Sequence, residues 1–170
     1  MPKRANKPKR LYWDSCVFLS FIEGNPDRAP IIEALIEQCE RGDFEIYTSV
    51  LTIAEVAFGK AEKDGKALDK QTHRKINGLW ASGSPFKLAE VHRGIMMEAQ
   101  TFVRSAMPLG LGLKPPDAIH LATAKRLGAT EFTTYDDFRG KSVSVASFVG
   151  LKIRVPKSEG FIFKGVQGEK

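Results

Sequence analysis

Cysteine is scarce: Cys16 and Cys39 are the only two in 170 residues. Neither belongs to a CxxC or Cys/His pattern, which excludes a disulfide scaffold and a zinc finger. Long apolar runs are missing as well. The longest are about half the ~20 residues that a membrane span requires, so no transmembrane helix is expected. Neither GxxxxGK[ST] nor GxGxxG occurs, and a nucleotide cofactor is therefore not expected. Residues 11–22 are apolar but contain Asp14, and no small-residue cleavage site follows. We read no signal peptide and expect a reducing cytoplasm. Internal repeats and low-complexity segments are also absent.

What remains has the composition of an ordinary globule. Hydrophobic residues are 42% and charged residues 27%, enough for a sizeable core in one domain. The net charge is +6, and it is unevenly placed. Lys3, Arg4, Lys7, Lys9 and Arg10 stand in the first ten residues without an acid, and residues 151–170 hold five cations against two acids. The intervening part is slightly acidic. Residues 1–10 are expected as a basic flexible tail and 157–170 as a C-terminal tail around a domain at 11–156. Such a tail either adds phosphate contacts to a nucleic acid or serves only to solubilise.

Strand and helix signals alternate. Short apolar runs at 11–13, 44–49, 131–134 and 151–155 read as buried strands, with a further short one at 86–88. Ile31, Ile32, Leu35, Ile36 and Cys39 form one face of a helix over 27–41 that Gly42 ends. Residues 52–60, 90–107 and 117–127 are further helices, the last opened by Pro115 and Pro116 and stopped by Gly128. The polar stretch 62–78 suits a solvated helical face or an arm. Alternation of this kind predicts an α/β fold: a three-layer α/β/α sandwich around a mostly parallel sheet. Ligands bind such sheets at the carboxyl ends of the strands.

Acids fall at those ends. Asp14 follows the first strand, Glu55 the second, Asp117 opens the helix behind the two prolines, and Asp136 follows the strand at 131–134 with Asp137 beside it. Each has a local alternative. Asp14 suits a helix N-cap, and Thr52-Ile53-Ala54-Glu55 fits a capping box. Asp117 suits the positive end of its helix dipole, and Asp136 and Asp137 suit a turn. These alternatives do not explain why all four acids share one edge. Carboxylates gathered there repel one another unless a hard cation neutralises them, and an all-oxygen set suits Mg²⁺ or Mn²⁺.

These residues carry a resemblance. Leu11-Tyr12-Trp13-Asp14-Ser15-Cys16-Val17-Phe18-Leu19 resembles the opening of a PIN domain. Thr48 to Val56, with its acid at Glu55, is similar to the second motif. Pro116-Asp117-Ala118-Ile119-His120-Leu121-Ala122-Thr123-Ala124 is similar to the third and is the most specific, and Thr133-Thr134-Tyr135-Asp136-Asp137 resembles the fourth. The match runs in order over residues 11–156. It implies a Mg²⁺- or Mn²⁺-dependent endoribonuclease like the VapC toxins of toxin–antitoxin pairs, with a cognate antitoxin, an RNA substrate and a homodimeric state. It further implies that Asp14, Glu55, Asp117 and Asp136 hold the metal, with hydroxyls from Ser15 and Thr134 beside them. Products would carry a 5′-phosphate and a 3′-hydroxyl. Cys16 departs from the Asn or Ser usual two residues after the first acid, which would remove a weak polar contact.

Other residues invite simpler readings. Tyr12 and Trp13 belong in the core; Met96, Met97 and Met107 read as core or dimer contact. Trp80 suits a partner surface, and Arg93, Arg104, Arg126 and Arg139 are candidates for phosphate contact, Arg139 first. His120 shares a helix face with Asp117, where it either meets substrate or packs. The rival functions are a PIN-like module that binds RNA or protein without cutting, a haloacid-dehalogenase-like phosphatase and a flap-type DNA nuclease. The phosphatase needs a second Asp where Cys16 stands, and flap nucleases carry more acids.

Overall fold

The computed structural model describes residues 8–158. Most of the expected tails, residues 1–7 and 159–170, lies outside the described residues. The elements run β1 (Lys9–Trp13), α1 (Ser15–Ile22), α2 (Ala29–Glu40), β2 (Phe44–Ser49), α3 (Leu51–Glu55), α4 (Lys60–Gly65) and α5 (Lys70–Trp80). They continue with β3 (Phe86–Ala89), α6 (Arg93–Ala106), α7 (Pro115–Arg126), β4 (Glu131–Thr133), α8 (Ser142–Val149) and β5 (Ile153–Arg154). All strand pairs are parallel, in the order β3-β2-β1-β4-β5.

The pleat of β1 divides the core. Leu11 and Trp13 point to one face, where they meet Val17, Phe18 and Ile22 of α1, Ile32 and Leu35 of α2, and Ile76 and Leu79 of α5. Tyr12 points to the other, among Ile95, Ala99 and Phe102 of α6, Leu121 of α7, and Val145 and Val149 of α8. Alternate residues of a strand face opposite sides, so an unbroken apolar run marks a strand covered twice. This is the α/β/α sandwich expected from the sequence.

Several local expectations change. β1 begins at Lys9, because Lys9 and Arg10 pair with Phe44 and Glu45 and the Arg10 guanidinium donates to the Leu127 carbonyl at 2.8 Å. The stretch 62–78 is not wholly solvated. Glu62 is buried and accepts from the backbone N–H of Gly59 (3.0 Å) and of Asp69 (2.6 Å), while Ile76 and Leu79 are core. Trp80 packs against Phe18, with ring centroids 5.3 Å apart. Met96, Met97 and Met107 are exposed and contribute nothing to the core. α8 was not expected; its sequence is mostly Ser, Val and Phe, which have weak helical propensity. It is ended by Gly150 at φ 70°, a left-handed position that glycine adopts without a Cβ clash.

Candidate active site

The register of β1 on β4 builds the first half of the site. Trp13 pairs with Thr133, so the next residues, Asp14 and Thr134, emerge side by side at the carboxyl edge of the sheet. Thr134 Oγ1 donates to Asp14 Oδ2 at 2.6 Å, and Cys16 Sγ donates to Asp14 Oδ1 at 2.8 Å. Both carboxylate oxygens are thus held. Asp14 occupies the N-cap position of α1, but its side chain makes no capping bond. Cys16 takes over the polar contact that its departure from the family pattern suggested was lost. Its sulfur also accepts from the Tyr135 N–H at 3.1 Å, and burial, followed by the Asp14 charge, pushes its thiol up to about 12. It remains a thiol at neutral pH. The hydroxyl that meets Asp14 is Thr134's, while Ser15 simply opens α1.

Asp136 sits two residues beyond Thr134. Its N–H donates to Thr134 Oγ1 at 2.9 Å, and its Oδ1 accepts from the Phe138 N–H at 2.7 Å. That bond closes a turn in which Phe138 (φ 50°) and Arg139 (φ 58°) are left-handed, a conformation costing non-glycine residues of order 1 kcal/mol each. Asp136 therefore fills the turn role considered for it and still faces the edge. Asp137 accepts no side-chain hydrogen bond that joins this network; its carbonyl accepts from Lys141 and Ser142.

The second half comes from α7 and α3. Pro115 and Pro116 start α7 and place Asp117 in its first turn. His120 lies one turn further on the same face and is buried. Its Nε2 stands 2.6 Å from Glu55 Oε2, and its Nδ1 stands 2.8 Å from the Tyr12 hydroxyl. A carboxylate can only accept, so in the neutral ring Nε2 carries the proton and Nδ1 accepts from Tyr12. A chain of hydrogen bonds thus runs from the core through His120 to Glu55. Sequence reading placed Tyr12 in the core but missed its hydroxyl; a tyrosine where phenylalanine would pack equally well is the signal. The capping-box reading of Glu55 fails, because α3 starts at Leu51 and Glu55 is its last residue. Thr52 instead meets Thr48, hydroxyl to hydroxyl at 2.6 Å. Tyr12→Phe leaves His120 Nδ1 buried without a donor and is expected to lower unfolding stability by about 1–3 kcal/mol, read from urea midpoints.

The acids feel one another. Burial raises Asp14; the bonds from Cys16 and Thr134 and the nearby His120 relieve part of that shift, and the Asp136 charge adds to it. Burial also raises Asp117, and the charges of Asp136 and Asp14 push it further in the same direction. Asp14, Asp117 and Asp136 therefore share one electrostatic neighbourhood, joined to Glu55 through His120. As the side chains stand, no three His, Cys, Asp or Glu among the described residues converge closely enough to hold an ion. The donor chemistry nevertheless fits a hard divalent cation: every oxygen is a carboxylate, and two of the acids are held above their ordinary range by burial and mutual repulsion. Of the arginines considered for phosphate contact, Arg126 is engaged with Glu98 at 2.6 Å. Arg28, not considered, lies over the Tyr135 ring at 4.1 Å, beside the fourth motif.

The chain was compared with known proteins. No curated protein matches it by sequence. Among solved structures it resembles VapBC2 from Rickettsia felis bound to a promoter DNA fragment, with a TM-score of 0.63 at 14% identity, covering 86% of this chain and 98% of that one. It is also similar to FitAcB from Neisseria gonorrhoeae, with a TM-score of 0.61 at 14% identity over 86% of this chain and 97% of that one. VapC20 from Mycobacterium tuberculosis, described as a sarcin-ricin loop cleaving toxin, gives a TM-score of 0.57 at 11% identity over 76% and 93%. At these identities the likeness speaks for the fold. The model of the PIN domain matches residues 11–139. With that match over most of the chain, and with the four motifs brought to one sheet edge in an all-parallel sandwich, the chain belongs to the PIN-domain family.

Proposed function

We propose that this protein is a metal-dependent endoribonuclease and the toxin of a toxin–antitoxin pair. The observation that carries the reading is the mutual electrostatic contact of Asp14, Asp117 and Asp136 at the carboxyl edge of the sheet, with two of the three raised by burial. Together with Glu55 they are the residues that would hold Mg²⁺ or Mn²⁺. When bound, such a cation supplies an activated water and neutralises charge on the attacked phosphodiester. The protein's own residues do the rest. Thr134 and Cys16 fix Asp14, His120 fixes Glu55, and the Asp136–Phe138 bond fixes the turn that presents Asp136. No side chain need remove a proton.

The toxin role draws on the similar structures, several of which are toxin–antitoxin complexes. An antitoxin that covers the acidic edge and a homodimeric state follow from the same reading. The rival is a PIN-like module that binds RNA or protein without cutting, and the spread of the acid side chains as they stand favours it. Cleavage of RNA by the purified protein with Mg²⁺ or Mn²⁺, against EDTA, separates the two. Metal-dependent products are expected; no product from any RNA, with no heat of Mn²⁺ binding in calorimetry, overturns the nuclease.

A further inference from the structure

A second charged feature lies on the opposite side of β4 from α8. Helices α1 and α2 cover β1 and β2 on that face, no helix among the described residues covers β4 and β5 there, and a cleft of about 230 Å³ lies between α2 and the β4–β5 edge. Lys9, Lys152, Arg154 and Lys157 line it, with Glu131 as its acid. Lys9 Nζ, Lys152 Nζ and Arg154 Nε stand 3.9, 3.6 and 3.7 Å from the same oxygen, Glu131 Oε2. One carboxylate oxygen is thus shared by three cations at distances too long for good hydrogen bonds. The three cationic side chains are about half exposed and Glu131 is largely covered. The positive charge therefore exceeds what Glu131 neutralises, and it is available to a larger anion.

Two observations say more about the occupant. Thr133 lines the cleft, and its hydroxyl is buried with no hydrogen-bond partner. A buried unpaired hydroxyl is costly and suits a ligand acceptor. One end of the cleft adjoins the acidic edge through Thr133. Thr133 precedes Thr134, whose hydroxyl binds Asp14 and whose N–H donates to the Arg154 carbonyl at 2.9 Å.

We propose that the cleft between α2 and the β4–β5 edge is a phosphate-binding site that anchors the backbone of single-stranded RNA beside the active edge, with Glu131 holding the cations in place until phosphate replaces it. The choice of RNA rests on the ribonuclease reading; the phosphate chemistry rests on the cleft alone.

The test is fluorescence anisotropy of a labelled single-stranded RNA with the full chain in EDTA, so that nothing is cut, across a range of KCl concentrations. The variants are Lys152→Ala with Arg154→Ala, and Glu131→Gln, each checked for an unchanged thermal midpoint. Each phosphate contact contributes roughly −0.7 to the slope of log affinity against log salt for a single strand. The double variant is expected to weaken binding about tenfold and to reduce the slope by roughly one contact or more. Glu131→Gln, which removes the competing carboxylate but keeps its shape, is expected to tighten binding several-fold. Unchanged affinity and slope in both variants overturn the proposal, as does weaker binding by Glu131→Gln, which would make the cluster a self-contained ion-pair network. A polyglutamate peptide that responds to the variants as strongly as RNA overturns the nucleic-acid assignment. If wild type cuts RNA with metal and the anisotropy does not move, the anchoring site alone falls. If the anisotropy moves as expected and no RNA is cut, the ribonuclease reading falls and the phosphate site stands.

Discussion

Asp14→Asn and Asp117→Asn are each expected to reduce the proposed metal-dependent RNA cleavage by at least about 100-fold. A cation that stabilises developing charge is worth several kcal/mol in the transition state, and each 1.36 kcal/mol is a factor of ten in rate. An amide keeps the shape of the acid and can still accept from either Thr134 or Cys16, but it lacks the second acceptor oxygen and the negative charge that a hard cation requires. Initial rates on a fluorogenic RNA read the effect, with circular dichroism as the control for folding. Asp137→Asn is the internal comparison. Its side chain stands outside the network that joins Asp14, Thr134 and Asp136, so its rate stays near wild type while Asp136→Asn falls. Equal activity in wild type, Asp14→Asn and Asp117→Asn would remove both acids from the chemistry.

The metal-free protein is expected to lose stability as pH rises out of the acid range, and Mn²⁺ to restore it. Asp14 and Asp117 ionise near 3.8 in the unfolded chain and higher in the folded one, chiefly because of burial. Between those values the folded state binds the extra protons, so raising the pH favours unfolding. Below 3.8 both states are protonated and the effect vanishes; above the raised folded values it is fully expressed. Glu45 and Asp69 have the opposite sign, because their carboxyls are lowered by Lys87 and by bonds from the Thr72 backbone respectively. The clean measurement is therefore the difference between wild type and Asp14→Asn across pH 3 to 8. The amide cannot ionise, so the variant is the more stable of the two at neutral pH without metal and loses the Asp14 part of the slope. At a hundred times its dissociation constant, Mn²⁺ adds about 2.7 kcal/mol to the wild type. For a chain of this size that is about 5–10 °C in melting temperature, and Asp14→Asn gains far less. A wild-type melting temperature indifferent to Mn²⁺ and to pH over this window would contradict both parts.

The strands and the position of the acids were readable because they follow from short-range pattern. A doubly covered strand must be apolar throughout, and 11–13 is; a helix opened by Pro115 and Pro116 must place Asp117 in its first turn. The partners of these residues were not readable, because they depend on which strands pair. Nothing local says that Cys16 will meet Asp14 and Tyr135, or that a core tyrosine will reach His120. The capping-box pattern at Thr52 misled for the same reason: β2 ends at Ser49 and the chain turns into α3 at once, leaving Thr52 inside the helix instead of before it. The contact of Trp80 with Phe18 was not legible from its charged sequence neighbours. Those neighbours face outward on α5, while Ile76, Leu79 and Trp80 turn toward Phe18.

The bonds that fix Asp14 also bear on when the site exists during synthesis. Thr134 and Asp14 are 120 positions apart, and Cys16 and Tyr135 are 119 apart. β4 inserts beside the first strand of the chain, so this closure is among the longest that the molecule makes, and closures of that span form late and slow folding. A growing chain that ends before Thr133 carries Asp14, Glu55 and Asp117 but has neither Thr134 nor Asp136 to complete the edge. The centre is therefore expected to come into being only after β4 has been made and has inserted beside β1, so that a nascent chain ending before Thr133 lacks a complete edge.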